Sequence, residues 1–269
     1  MENIKEKSEY CLNCKMKPCS NACPLGNDIP SFIKCIKEEN LEEAYKILSR
    51  TTVLQSICGR ICPHLKQCMG SCVRGIKQKP VSIGELETFI GDLAIKNNYE
   101  MENLERKCFN KKVAIVGSGP AGLTCAAFLA RRGANVTIFE KHEKLGGILR
   151  YGIPDFRLDK KLLDDVINKI LSLGIEVKAN KELGKNLFLE NLQNEYDAVF
   201  LGIGANIPWK MGIEGENLDG VYGGNTLLEK QNYPNYEGKN VAIIGGRKCC
   251  NGYCKNYKKN GRKKCYCYI

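Results

Sequence analysis

The sequence predicts a helical, cysteine-rich domain followed by an α/β domain built on a parallel sheet. Ten of the sixteen cysteines in this 269-residue chain lie within residues 1–108, together with segments of helical apolar spacing. From Lys111 onward, short β-branched runs alternate with glycine turns. A helical segment separates the first two of these runs, and this alternation is typical of parallel strands joined by helices.

The composition argues against several classes of protein. The charged start, MENIKEKSEY, predicts no signal peptide. No run of eighteen apolar residues occurs, so we expect no membrane span and a soluble, cytoplasmic protein. Sixteen cysteines then indicate metal or redox chemistry in a reducing compartment rather than disulfides.

The net charge of +11 is concentrated at the carboxyl-terminal end. Residues 247–269 hold eight of the 41 Lys and Arg and none of the 30 Asp and Glu, so the other 246 residues carry only +3. Because positive and negative charges nearly balance in residues 1–246, this part of the chain does not indicate specific nucleic-acid binding.

Apolar spacing predicts helices in the first domain. Residues 31–50 carry two short apolar faces, so we expect two short helices there. A further helical run, IGELETFIGDLAIKN, follows Pro80.

The cysteines of the first domain form two motifs. CLNCKMKPCSNACP has the spacing C-x2-C-x4-C-x3-C-P, and CGRICPHLKQCMGSC supplies four more cysteines. A structural zinc site usually brings paired C-x2-C knuckles, and only Cys11 and Cys14 form one. A terminal Cys-Pro that serves a neighbouring cluster is a ferredoxin arrangement, so two iron–sulfur clusters fit better than zinc.

These motifs resemble the helical double-cluster domain of the glutamate synthase small subunit, dihydropyrimidine dehydrogenase and flavin-dependent transhydrogenase subunits. The resemblance implies that two [4Fe-4S] clusters are bound. It assigns Cys11, Cys14, Cys19 and Cys72 to the first cluster. It assigns Cys23, Cys62, Cys68 and the carboxylate of Glu87 to the second.

The remaining cysteines of this region are predicted to pack rather than bind metal. Cys35 lies on an apolar helix face, and free cysteine packs as a small hydrophobe. The same is expected of Cys58, which is surplus to the family pattern, and of Cys108 and Cys125. His64 is expected in a loop.

A dinucleotide-binding fingerprint opens the second domain. In KVAIVGSGPAGLTCAAFLARRGANVTIFEK, Gly117, Gly119 and Gly122 follow a strand and precede a helix. These glycines permit a tight turn, close approach to a pyrophosphate and close helix packing. Glu140 ends the next strand and would accept hydrogen bonds from a ribose hydroxyl. The fingerprint alone leaves FAD and NAD open.

The continuation of the domain resembles the flavin-contacting segments of the same family, which implies FAD. EKLGGILRYGIPDFRL would contact the pyrophosphate and ring, and YDAVFLGIGA would pass close to the cofactor. The predicted FAD-binding residues are Gly117, Ser118, Gly119, Pro120, Ala121, Gly122, Glu140, Lys141, Gly146, Gly147, Leu149, Arg150, Gly202 and Gly204. We therefore expect a helical iron–sulfur domain at 1–108 and an incomplete Rossmann-type FAD-binding domain at 109–238.

The last part of the sequence breaks the α/β pattern. The strand in KNVAIIGG, at 239–246, predicts the start of an NAD(P)-binding domain, but the apolar period ends at Arg247. Reading the possible codons one base later allows a glycine turn, an amphipathic helix and a strand. We therefore hypothesise a reading-frame shift near residue 247 and a non-native basic tail at 247–269, which sequencing the gene would test.

An alternative for this tail is a metal-binding, nucleic-acid-binding segment. It would use Cys250, Cys254, Cys265 and Cys267. The spacings C-x3-C and C-x-C are poor for zinc knuckles, so the frame shift is the favoured interpretation.

The resemblance implies an oxidoreductase subunit that passes electrons from NAD(P)H through FAD and two clusters to a larger partner subunit. Residue 2 is Glu, so the amino-terminal cysteine of a glutaminase is absent, and no side chain is expected to act as acid, base or nucleophile. Since most of the NAD(P)H domain is missing, we expect weak FAD binding and poor NAD(P)H oxidation. The alternatives are a module with iron–sulfur clusters only and a basic nucleic-acid-binding protein.

Overall fold

The computed structural model describes residues 2–230, 240–244 and 265–268. The first third is helical and the following part is α/β, so the predicted succession of fold types is confirmed. No helix in these described ranges is both long enough and apolar enough to cross a bilayer.

In the described part of the first domain there are six helices, and two 3₁₀ turns at His64–Lys66 and Val73–Ile76 lie between the last two of them. The helices are α1 Glu2–Glu9, α2 Pro18–Asn21, α3 Ile29–Lys37, α4 Leu41–Ser49, α5 Gln55–Ile61 and α6 Ile83–Lys96.

The two helices predicted within residues 31–50 are α3 and α4. The chain reverses between them at Glu39, whose φ is 58°. The side chain of Asn40 then caps α4 by accepting a hydrogen bond from the backbone N–H of Glu43 at 3.4 Å. The apolar faces of α3, α4 and α6 meet in one core that includes Phe32, Tyr45, Leu48, Leu86 and Ile90.

Helices α5 and α6 cross at close range because glycines lie at the contact. A Cβ atom on Gly59 would lie 2.6 Å from the carbonyl oxygen of Gly84, and one on Gly91 would lie 2.5 Å from the backbone nitrogen of Ser56. The close crossing places the carboxyl end of α5 beside the first turns of α6.

We expect Gly59→Ala to destabilise the protein by about 1–3 kcal/mol, the usual cost of overpacking. The added Cβ would meet the backbone of α6, and the better helix propensity of alanine, about 1 kcal/mol, does not offset that displacement. Gly224→Ala is the control, since among the residues that the structure describes its Cβ would meet no atom within 4 Å outside its own helical turn. Chemical denaturation measures the effect, and equal stability of the two variants would contradict the close crossing.

The α/β domain contains a four-stranded parallel sheet in the order β3-β2-β1-β4. β1 lies inside the sheet, and its residues from Val113 to Val116 are buried. The elements are β1 Lys112–Val116, α7 Pro120–Arg131, β2 Asn135–Phe139, α8 Ile148–Tyr151, α9 Lys160–Leu171, β3 Glu176–Lys178, α10 Leu189–Glu195, β4 Ala198–Leu201 and α11 Gly224–Lys230.

The two domains share a continuous apolar core. Val53, Leu54 and Ile57, which lead into or lie within α5, pack in the same cluster as the residues of β1, α7 and α9. Arg131, at the end of α7, also donates a hydrogen bond to the backbone oxygen of Ser49 at 2.7 Å. The end of the helical domain that carries α5 is therefore fixed against the parallel sheet.

The strand predicted at 239–246 is β5 Val241–Ile244. It pairs in parallel with β6 Cys265–Tyr268, so this part of the tail takes a regular conformation that the sequence interpretation did not anticipate. The proposed frame-shift point near Arg247, and Cys250 and Cys254 of the alternative metal site, lie outside the described residues.

Candidate functional site

Four predicted ligands line one open cavity in the helical domain. The empty space inside this cavity and at its open mouth, solvent included, amounts to about 360 Å³, and apolar side chains such as Ile33 form much of its wall. Burial raises the pKa of the Cys19 thiol to about 11, and the neighbouring thiols contribute to this shift. The four cysteines are Cys11, Cys14, Cys19 and Cys72, the set expected for the first cluster.

The turns that carry these cysteines are held by backbone conformation and by one arginine. Asn13 and Lys17 have φ values of 50° and 43°, so the chain turns sharply between the cysteines before α2 begins at Pro18. Arg74 donates to the backbone oxygen of Tyr10 at 3.0 Å and stacks 4.3 Å from the centre of its ring. This contact fixes the chain after the fourth cysteine against the chain before the first.

The ligands expected for the second cluster form a separate, more deeply buried group. Burial raises the pKa of the Cys68 thiol to about 12, and Glu87, Cys23 and Cys62 lie near enough to contribute to the same shift. The glycine-mediated crossing of α5 and α6 brings Cys62, which follows α5, beside Glu87 in α6.

Glu87 is a buried carboxylate, with 5% of its surface exposed. Burial and the neighbouring Cys62 raise its pKa to about 8. Nδ2 of Asn27 donates to Oε1 of Glu87 at 3.4 Å. The hydroxyl of Thr51 donates in turn to Oδ1 of Asn27. Among the described residues, no cationic side chain lowers the pKa of Glu87.

These residues fit an iron–sulfur cluster. A buried carboxylate without a cationic partner is costly, and a bound metal would offset that cost. Within the described ranges, no three His, Cys, Asp or Glu side chains converge on a single ion position. An iron–sulfur cluster takes one protein ligand at each iron, so four cysteines around one cavity could each bind a different iron of one cluster.

Cys58 has a contact that the sequence did not predict. It packs against the apolar core that the two domains share, as expected of a packing residue. Its thiol also forms a hydrogen bond with that of Cys62, and this contact and burial raise the pKa of Cys58. The hydroxyl of Thr52 lies 3.9 Å from its sulfur on another side. Cys58 therefore contacts a candidate ligand.

The other residues predicted not to bind metal are placed as expected. Cys35 packs against the core of the helical domain, and Cys108 and Cys125 pack against the core of the α/β domain. His64 begins a 3₁₀ turn in the connection between α5 and α6, and its ring lies against Gly84.

The glycine fingerprint forms the turn between β1 and α7. Gly117 has a φ of 99°, and a Cβ atom on it would lie 2.4 Å from the backbone oxygen of Gly202. A Cβ atom on Gly122 would lie 1.8 Å from the backbone oxygen of Gly117. No atom of the described residues lies within 4 Å of the Cβ position of Gly119, apart from its chain neighbours, so these residues leave space open beside the amino end of α7, where a phosphate would bind. Pro120 and Ala121 begin that helix.

The side chain of Ser118 is fully buried and links the loop to Glu140. Its backbone N–H and hydroxyl donate to Oε2 of Glu140 at 2.9 and 2.5 Å, and its oxygen accepts from the backbone N–H of Gly146 at 3.0 Å. The other oxygen of Glu140 accepts from the backbone N–H of His142 at 3.0 Å. A carboxylate has further lone pairs, so Glu140 retains capacity for a ribose hydroxyl.

The predicted flavin-contacting segment lies directly against the glycine loop. Gly147 has a φ of 49°, and its Cβ position is 2.7 Å from the Cα atom of Gly119. Leu149 is buried in the core of the α/β domain. Arg150, predicted near the pyrophosphate, pairs with Asp164 and donates to the backbone oxygen of Leu145 at 2.6 Å.

Lys160 stabilises the same segment, a role that no sequence pattern predicted. Its ammonium donates to three backbone oxygens, including those of Leu149 at 3.1 Å and Leu158 at 3.2 Å. Burial lowers its pKa. A lysine at the start of an amphipathic helix would ordinarily be read as solvent-exposed.

Residues that follow β2 and β4 lie at the carboxyl end of the sheet. Lys141, predicted to contact the cofactor, forms an ion pair with Glu229 of α11 at 2.7 Å, and His142 lies 3.1 Å from the same carboxylate. Gly204, with a φ of 74°, follows β4 and is exposed. The predicted cofactor residues thus gather at the carboxyl ends of β1, β2 and β4, where open α/β sheets bind ligands.

Comparison with known proteins identifies the same two regions. Residues 1–99 match the family model described as dihydropyrimidine dehydrogenase domain II, 4Fe-4S cluster. Residues 115–161 match the NAD(P)-binding Rossmann-like domain.

Curated relatives resemble most of this chain. The glutamate synthase [NADPH] small chain of Escherichia coli K12 is 36% identical over 255 residues, which cover 90% of this chain and 54% of that protein. The NAD-dependent dihydropyrimidine dehydrogenase subunit PreT of Escherichia coli O157:H7 is 40% identical over 201 residues, which cover 75% of this chain and 48% of that protein. The chain therefore spans about half the length of these relatives.

Solved structures share the fold at lower identity. Mycobacterium tuberculosis FprA in complex with NADPH superposes with a TM-score of 0.51 at 22% identity, covering 54% of this chain and 36% of FprA. A 2-naphthoyl-CoA reductase complex gives a TM-score of 0.54 at 21% identity, covering 90% of this chain and 33% of the reductase. Over about nine-tenths of its length, the chain is thus homologous to the family of oxidoreductase subunits that includes the glutamate synthase small chains.

Proposed function

We propose that this chain is an iron–sulfur flavoprotein oxidoreductase subunit of the glutamate-synthase-small-chain type. In this proposal, electrons from NAD(P)H reach a larger partner subunit through FAD and two [4Fe-4S] clusters. The observation that carries it is the separation of the eight predicted ligands into two groups, one around the 360 Å³ cavity and one around Glu87.

The role of the protein in this reaction is to hold the redox groups and set their environment, because the cofactors perform the electron transfer themselves. Cys11, Cys14, Cys19 and Cys72 would hold the first cluster. Cys23, Cys62, Cys68 and Glu87 would hold the second, with an oxygen ligand that changes its charge and potential.

The glycine loop would hold FAD by its pyrophosphate. The backbone N–H groups at the start of α7, beside the open position of Gly119, supply hydrogen-bond donors and the positive end of the helix dipole. Glu140 would accept from the ribose. Lys160 would keep the segment around Leu149 in place by holding its backbone oxygens.

An exposed apolar stretch after β4 supports the packing of a further polypeptide. Ile207 and Trp209 are 88% and 95% exposed, and Ile203, Met211 and Leu218 are also exposed. Concentrated apolar exposure of this kind is typical of interaction surfaces. We propose that this stretch contacts either the partner subunit or the part of the family architecture that this chain does not span.

Anaerobic purification followed by iron, sulfide and flavin analysis tests the proposal. We expect about eight irons per chain, four for each [4Fe-4S] cluster, together with FAD that dissociates readily. Reduction with NADH and with NADPH then measures the remaining nicotinamide activity. Full iron without flavin would favour the module with clusters only, and bound zinc without iron would refute both.

A further inference from the structure

Cys58 is a thiol that the ligand assignment leaves unused, yet it contacts a ligand. It lies four residues before Cys62, so the two side chains lie on the same side of the last turn of α5. The backbone N–H of Cys62 donates to the backbone oxygen of Cys58 at 3.1 Å, which holds the two residues one helical turn apart, and their thiols form a hydrogen bond. Cys58 also packs against the apolar core that the two domains share.

The direction of this hydrogen bond follows from the chemistry of a ligand. A cysteine that binds iron is a thiolate and can only accept, so Cys58 must donate its S–H to the sulfur of Cys62. The oxygen of Thr52 lies 3.9 Å from the Cys58 sulfur and already accepts from the backbone N–H of Leu54 at 3.1 Å. With the S–H directed to Cys62, the Thr52 hydroxyl is left to donate to the Cys58 sulfur.

A donated hydrogen bond stabilises the more negative state of a cluster. One-electron reduction adds negative charge to the cluster and its ligand sulfurs, and a donor directed at a ligand sulfur favours that state. Hydrogen bonds to the sulfurs are among the factors that set cluster potentials.

We propose that Cys58 is a positioning residue that raises the reduction potential of the second cluster by donating a hydrogen bond to Cys62. This inference rests on the proposed ligand assignment. It gives a role to the cysteine that is surplus to the family pattern. The affected cluster is the one whose site adjoins the α/β domain, so the hydrogen bond would favour electron transfer from that domain to this cluster.

The test is a redox titration of both clusters, followed by electron paramagnetic resonance, in wild type, Cys58→Ala, Cys58→Ser and Cys35→Ala. We expect Cys58→Ala to retain the wild-type iron content and to shift the midpoint of the second cluster to a more negative potential. Cys58→Ser, which keeps a donor, should shift it less. Cys35→Ala is a matched control, because Cys35 is a half-buried cysteine that packs in the same domain.

Two results would overturn the inference. One is a second-cluster midpoint in Cys58→Ala that equals those of wild type and Cys35→Ala. The other is a loss of about four irons in Cys58→Ala, which would make Cys58 a cluster ligand. A wild-type protein without two clusters would refute the proposed function as well, so the two failures are distinguishable.

Discussion

Replacing Gly122 with alanine is expected to destroy the dinucleotide-binding turn and to abolish FAD binding. The new Cβ atom would lie 1.8 Å from the backbone oxygen of Gly117, and both atoms belong to the same tight turn. Relief of this overlap requires α7 to move away from β1. Overpacking usually costs about 1–3 kcal/mol, and we expect the upper end here because backbone rather than a side chain must move.

Gly119→Ala separates binding from folding in the same turn. Within the described part of the chain, its Cβ would meet no atom within 4 Å beyond its own neighbours, so the unfolding midpoint of the flavin-free protein should remain that of wild type. The added methyl group would instead occupy the space through which the backbone approaches the pyrophosphate. Flavin content and thermal unfolding measured on both variants test this distinction. A Gly122→Ala protein with wild-type unfolding and flavin would contradict the geometry of the turn.

The dinucleotide loop could be predicted from sequence because its determinants are local. Gly117, Gly119 and Gly122 lie within six residues. The backbone of the turn requires Gly117 and Gly122, and the close approach of a pyrophosphate requires Gly119. The link from Ser118 to Glu140 and Gly146 was not predicted as such. It joins residues 22 and 28 positions apart, and only the parallel pairing of β1 and β2 brings them together.

The candidate metal site also depends on contacts between residues far apart in the sequence, which local patterns do not predict. Spacing alone indicated two clusters, but the partition of ligands between them came from family resemblance. The burial of Glu87 depends on the crossing of α5 and α6 at Gly59 and Gly91, and no local pattern distinguishes this glutamate from a solvated one. Asn27, which hydrogen-bonds to Glu87 across 60 positions, carried no signal at all.

We expect Cys19→Ser and Cys68→Ser each to remove one cluster and leave the other. Cys19 lines the 360 Å³ cavity of the first group, and Cys68 lies in the buried group around Glu87. A serine oxygen is a poorer ligand for iron than a thiolate, because soft sulfur ligands suit iron–sulfur clusters. Iron content should therefore fall from about eight to about four per chain in each variant.

The two variants are distinguished by which electron paramagnetic resonance signal remains after reduction. Cys35→Ser is the control and should keep both clusters, because Cys35 is not one of the eight candidate ligands and packs against the apolar core of the helical domain. The double variant Cys19→Ser, Cys68→Ser should contain almost no iron. If one of the single variants lost all iron, the eight ligands would not form two independent groups. If both lost the same signal, Cys19 and Cys68 would belong to one cluster and the assignment would have to be redrawn.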